Sequence, residues 1–190
     1  MSPARPGKLP DADVDARLVQ RVLAGDREAY GELVRRHQDA LYRYMRGMGV
    51  DHDTAVDLTQ NALVKAYGGL ARCREPAHFR AWLFRIARNH CLDHVKNVRR
   101  LSVPFSALER PEAIPDGRVP EPERGLTLGA ALDRLPTALR DAFLLKHDAG
   151  YSYDEIAELT EASVSAVKMR VHRARESLRD FLTAQGIDAA

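Results

Sequence analysis

Apolar residues recur at intervals of three and four along most of the chain, and glycine, proline or a capping residue bounds each run. This is the pattern of amphipathic helices. Over about residues 13–24, Val14, Leu18, Val19 and Val22 share one side, with Gly25 placed just past the helix end and Asp26 placed to cap the next helix. That second helix runs to about Arg46 and carries Tyr30, Leu33, Val34, His37, Leu41, Tyr44 and Met45 as its buried stripe. Gly47 and Gly49 break it, and Asp51 or Asp53 restarts the chain. From Thr54 to Tyr67 the residues Ala55, Leu58, Ala62, Leu63 and Ala66 turn inward, which leaves Asp57, Gln60, Asn61 and Lys65 facing out. Gly68, Gly69 and Pro76 bound a loop. The helix after it, from about Phe79 to Val98, has two faces: Phe84, Ala87, Cys91, Val95 and Val98 on one, and Phe79, Trp82, Ile86, Asn89 and Asp93 on the other. A helix of that kind is enclosed over its first half and one-sided over its second.

After Arg100 the rhythm stops. Residues 101–124 contain Pro104, Pro111, Pro115, Pro120 and Pro122 with scattered acids, so the stretch 99–124 reads as a flexible linker. Helices resume over Leu126–Leu135 and Thr137–His147, where Leu139, Ala142, Phe143 and Leu144 supply a second core before Gly150. The expected fold is therefore all-α, with two small helical domains at 13–98 and 125–185 on a tether. Residues 1–12 are expected as a disordered tail, and Gly186–Ala190 to fray.

The segment Ser152–Arg175 carries the densest signal. Ser152 and Glu155 form a capping box, in which each side chain satisfies an otherwise unpaired backbone N–H at a helix start. Ile156 and Leu159 give that short helix its stripe, Thr160–Ala162 interrupts it, and Ser163 caps a second helix with Val164, Val167, Val171, Ala174 and Leu178 inward. Lys168, Met169, His172 and Arg173 fall between these and face out. Two short helices, a tight turn and a basic second helix match a helix-turn-helix whose second helix enters the major groove. The competing account is a solvated basic face on an ordinary helical hairpin.

Charge sharpens the pattern. The whole chain carries only +2, yet residues 79–100 hold six bases against Asp93, and residues 164–179 hold five against Glu176. Bases interleaved with aromatics and Asn89 on the first of these helices suit single-stranded nucleic acid, where bases stack and phosphates are neutralised. Cys73 and Cys91 are the only cysteines, which argues against a disulfide scaffold and suits a reducing cytoplasm. No apolar run approaches a membrane span, and the N-terminus lacks the apolar core of a signal peptide. His90, Cys91 and His94 include an i,i+4 histidine pair of the kind zinc sites use, but there is no HExxH glutamate and Cys73 is the one other thiol, so no metal is assigned. A stand-alone helix-turn-helix regulator would account for the C-terminal half alone.

Three stretches, DLTQNALVKAY at 57–67, FRAWLFRIARNHCLDH at 79–94 and SYDEIAELTEASVSAVKMRVHRAR at 152–175, resemble in content and order the extracytoplasmic-function sigma factors of bacteria. The resemblance covers about residues 13–183. It implies a promoter-specificity subunit of bacterial RNA polymerase with no catalytic activity and no cofactor. Such a subunit binds the clamp helices of the largest polymerase subunit and the flap of the second-largest, opens the −10 element and reads the −35 element of promoter DNA. An anti-sigma factor is implied as a further partner. Carried over by position, Asp57, Leu58, Gln60 and Asn61 match the core-polymerase contact. Lys65, Arg72, Cys73, Arg85 and Asn89 match contacts to the −10 strand, within or beside the base-capturing loop 70–78. Ser163, Ser165, Lys168, Met169, His172 and Arg173 match the −35 readers. The chain departs from the family at Glu161, where glycine is usual, at Cys73, often aromatic, and at Asn61, often an acid. Because a non-glycine residue at positive φ costs about 1 kcal/mol, the turn at Glu161 is expected to differ in detail.

Overall fold

The computed structural model describes residues 12–102 and 128–186. The expected tail other than Ala12, the linker from residue 103 onward, the first two residues of the expected Leu126–Leu135 helix, and residues 187–190 lie outside the described residues. Among those described, the elements are helices: α1 (Ala12–Leu23), α2 (Glu28–Gly47), α3 (His52–Gly69), α4 (Phe79–Ser102), α5 (Leu128–Asp133), α6 (Thr137–His147), α7 (Tyr153–Thr160) and α8 (Val164–Ala184), with two short 3-10 turns between α3 and α4.

The helix ends follow local chemistry. Gly25 takes φ +103°, which lets the Asp26 N–H return to the Arg21 carbonyl at 3.0 Å and close α1. Asp26 then accepts from the Ala29 N–H at 3.2 Å to start α2. Of the two aspartates that could restart the chain, Asp51 does so, accepting from the Thr54 N–H at 3.0 Å. That bond holds the Asp51 carboxyl below its ordinary value. α4 runs four residues beyond the expected Val98, since the first proline after it is Pro104.

α1 to α4 form the N-terminal unit around Leu33, Leu41, Tyr44, Met45, Phe79, Leu83 and Phe84, all at most 1% exposed. Burying a side chain of this size stabilises by about 1.5–3 kcal/mol. His37 sits in this stripe because Asp15 on α1 receives it: Nε2 to Oδ2 is 2.8 Å, and Arg36 Nε donates to Oδ1 at 2.8 Å. Burial alone would raise the Asp15 pKa, but the bonds and charge from His37 and Arg36 more than offset it and hold the carboxyl below its ordinary value.

α5 to α8 form the C-terminal unit, in which α6 and α7 pack on α8 through Leu144, Leu145, Ile156, Leu159, Val167, Val171 and Leu178. The two units do not stand apart. α6 packs on α2 and α7 on α4, and the buried apolar residues of both units form one continuous cluster. Arg140 and Asp141 of α6, 2% and 3% exposed, lie in that junction, while Leu139 and Phe143 are only partly covered.

Candidate nucleic-acid interface

The clearest base-bearing surface is built on α7 and α8. Ser152 accepts from the Glu155 N–H at 3.2 Å while Glu155 accepts from the Ser152 N–H at 2.7 Å, so the capping box is complete. Ser163 accepts from the Ala166 N–H at 3.1 Å and starts α8. Between them Glu161 adopts φ 53° and ψ 41°, the left-handed conformation that glycine usually provides. The residue therefore takes the left-handed conformation in spite of its Cβ, so the backbone at this position shows no departure from glycine-like dihedrals.

With Val167, Val171, Ala174 and Leu178 buried, Ser163, Ser165, Lys168, Met169, His172 and Arg173 are all exposed on α8. Met169 is an uncovered apolar residue at 50% exposure in the middle of this row. His172 Nε2 lies 3.3 Å from Glu176 Oε1 one turn on. The Tyr153 ring is approached by two lysines, with Lys146 Nζ 4.6 Å and Lys168 Nζ 5.8 Å from its centroid. Exposed donors beside an uncovered apolar group offer hydrogen bonds to base edges and a contact for a thymine methyl.

The second surface lies on α3 and α4. Arg85 and Asn89 are one turn apart on α4 and exposed, and Lys65 reaches α4 from α3 at His90, its Nζ 3.0 Å from His90 Nε2. Partial burial and the Lys65 charge both push the His90 pKa down, which favours a neutral ring that accepts from the lysine. Arg72, at the end of the first 3-10 turn, is also exposed. Cys73 is not: it is 6% exposed, with Sγ directed to the Glu75 carbonyl at 3.6 Å, and burial raises its pKa. The loop thus presents arginine outward and hides its thiol. Trp82 sits beneath Gly69 and beside Phe79, 6.0 Å between ring centroids, in the α3–α4 packing.

Asp57, Gln60 and Asn61 form an exposed row on α3, extended by Val64 at 71% exposure, while Leu58 turns partly into the core. Val64 was legible as a surface position from the same periodicity. Cys91 is fully buried between His90 and His94, so the three do not converge, and among the described residues no group of three or more potential metal ligands comes together.

Sequence reading missed Arg80, Arg88, Tyr44 and Asp141 as one cluster. Arg80 and Arg88 belong to the basic helix α4, but both turn toward the C-terminal unit. Burial works against the charge on Arg88, and the bond and charge from Asp141 outweigh it and raise its pKa.

Helices throughout the described residues, with a helix-turn-helix on one unit and an exposed Arg/Asn/Lys strip on the other, have the form of a two-part DNA-binding protein. Residues 33–101 match the family description Sigma-70 region 2, and residues 126–178 match Sigma-70, region 4. The chain is 34% identical to the ECF RNA polymerase sigma factor SigE of Mycolicibacterium smegmatis, over 87% of this chain and 67% of that one. It is 32% identical to the RNA polymerase sigma factor NccH of Alcaligenes xylosoxydans xylosoxydans, over 94% of this chain and all of that one. Its fold is similar to that of the sigma factor RpoE crystallised with the anti-sigma factor NepR from Bartonella quintana, with TM-score 0.65 and 26% identity, covering 81% of this chain and 96% of that one. The chain belongs to the extracytoplasmic-function family of RNA polymerase sigma factors.

Proposed function

We propose that α8 reads the −35 promoter element as intact duplex, and that α4 with loop 70–78 engages the −10 element as separated strand, both in the service of core RNA polymerase. Residues 13–98 are then the sigma-2-like unit, 125–185 the sigma-4-like unit and 99–124 the segment between them. The observation that carries this reading is the pair of uncovered rows, Lys168/Met169/His172/Arg173 on α8 and Lys65/Arg85/Asn89 on α3 and α4, on helices whose other faces are buried.

Each residue type suits its task. Arg173 and Lys168 donate to guanine O6 and N7, Met169 meets a thymine methyl, His172 adds a further polar contact, and Ser163 and Ser165 at the α8 N-terminus hold a phosphate. Asn89 offers donor and acceptor together to the edge of an extruded base, which offsets the few kcal/mol lost in unstacking it. Arg72, Arg85 and Lys65 neutralise the strand beside it, and Cys73 shapes the loop from beneath. Asp57, Gln60 and Asn61, backed by Leu58, meet the clamp helices of the largest polymerase subunit, and the C-terminal unit sits against the flap of the second-largest. The chain acts as an initiation factor with no reaction of its own, in the cytoplasm where the polymerase works, and an anti-sigma factor opposes it, as NepR accompanies the similar RpoE.

Core bacterial RNA polymerase with this chain should initiate at a cognate promoter selected from a genomic pool. No initiation from any promoter by a folded sample would sink the reading. Arg173→Ala should cost about 1–3 kcal/mol at one −35 base and relax preference there. A uniform loss across sequences would make Arg173 a phosphate contact instead.

A further inference from the structure

α1 buries an acid in the middle of its apolar face. Leu18, Val19 and Val22 share that face with Asp15 at helical spacing, and Asp15 and His37 are each only 1% exposed. Both partners of the carboxyl lie on α2: His37 Nε2 is 2.8 Å from Oδ2, and Arg36 Nε donates to Oδ1 at 2.8 Å. Exchanging a buried charged pair for apolar residues of similar volume is commonly neutral or stabilising, so adhesion between α1 and α2 does not require this acid. What it adds is direction, because only one register and rotation of α1 brings Asp15 to donors at two adjacent positions of α2.

That register is felt at the loop between α3 and α4. α1 packs on both 3-10 turns, and more extensively on the second, Pro76–His78, than on α4. The loop is shaped from beneath: Leu70 and Cys73 are buried, the Cys73 N–H donates to the Leu70 carbonyl at 2.9 Å, and the His78 N–H donates to the Glu75 carbonyl at 2.8 Å. His37 also reaches the far end of the loop, its ring centroid 5.6 Å from that of Phe79, and Phe79 adjoins Trp82 under Gly69. Asp15 therefore acts on the loop by two routes, through His37 and through the body of α1, while Arg72 and Arg74 stay exposed on the outer side.

We propose that Asp15 is a positioning residue for base capture. By fixing the register of α1 it sets the shape in which loop 70–78 meets the −10 strand, and so the base preferred there, without touching DNA itself. The inference rests on the assignment of that loop to the −10 element.

Two variants separate register from stability. Asp15→Asn keeps the shape and removes the charge; Asp15→Ala combined with His37→Leu replaces the pair by apolar groups of similar total volume and lets Arg36 turn to solvent. Both should retain helical circular dichroism, and the double variant should unfold in urea near the wild-type midpoint. Hydrogen exchange of the full chain should show the Cys73 and His78 amides exchanging about tenfold faster in both variants, with the amides of α8 unchanged. With core polymerase and a promoter pool randomised over both elements, preference at one −10 position should fall about tenfold while −35 preference holds. Unchanged loop exchange in both folded variants, intact −10 preference in the double variant, or an equal loss at −10 and −35 would overturn the proposal. Loss of helix in both would also overturn it, by making Asp15 a residue of the folding core alone. Faster loop exchange with no −10 preference in any chain, wild type included, would keep Asp15 as the anchor of the loop and count instead against the assignment of that loop to the −10 element.

Discussion

α4 and α8 are both long, basic helices, yet the molecule uses their charge in opposite ways. α8 buries one stripe and leaves Lys168, Met169, His172 and Arg173 in solvent, because α6 and α7 cover it from one side only. α4 packs against α1, α2, α3 and α7, so Phe79, Leu83, Phe84, Ala87 and Cys91 are buried and over residues 79–91 only Arg85 and Asn89 are exposed. Arg80 and Arg88, counted among its bases, are committed to the other unit. Net charge along a helix therefore overstates what is available to a polyanion wherever a second layer covers it.

The largest expected effect separates the helices by stability. Phe84 touches the rings of Tyr44 and Tyr151 at centroid distances of 6.0 and 5.3 Å, so Phe84→Ala should destabilise by about 3–5 kcal/mol. Met169→Ala on α8 should change stability by less than about 0.5 kcal/mol. Comparable losses in urea denaturation would abolish the distinction.

Next in size is the support beneath α4. His37 packs edge-on against Phe79 at 5.6 Å and is held by Asp15, so Asp15→Ala should cost about 3 kcal/mol by leaving buried partners unpaired. Because the folded carboxyl lies below its unfolded value of about 3.9, its contribution is present above that pH. It is lost as pH falls through the lower folded value. Stability against pH should fall less steeply on the acid side in Asp15→Ala than in wild type; parallel curves would remove Asp15 from the account.

The smallest effect concerns the turn into α8. Glu161→Gly relieves a left-handed conformation in a residue with a Cβ and should stabilise by under about 1 kcal/mol, with DNA preference unchanged. A loss of stability on thermal unfolding would show that the Glu161 side chain does more than occupy the turn.

Much of this was legible because the signals are local. Ser152 and Glu155 announce their helix within four residues, Gly25 and Asp26 mark one end and the next start, and the stripe from Val167 to Leu178 shows which side of α8 is wet. The two faces of α4 could be read from its wheel in part: Phe84, Ala87, Cys91 and Val95 are buried as expected, but Val98 is 45% exposed and Leu83, placed on neither face, is fully buried. What could not be read depends on partners distant in sequence. Asp141 pairs with an arginine 53 positions earlier and a tyrosine 97 positions earlier, and nothing in its neighbours distinguishes it from a solvated acid. Asp15 is hidden for the same reason. Cys73 sat in a stretch correctly read as a loop, but the direction of its side chain follows from two 3-10 turns that carry no periodic pattern.

The Tyr153 ring has a consequence for timing. With Lys146 Nζ 4.6 Å and Lys168 Nζ 5.8 Å from its centroid, the aromatic face draws both lysines toward one region before any ligand arrives. Fixing a free lysine at an interface costs about 0.5–1.5 kcal/mol, and part of that freedom is already surrendered here. Were a duplex groove to meet α8 as proposed, an ammonium group already held near its station would lower the ordering cost of binding.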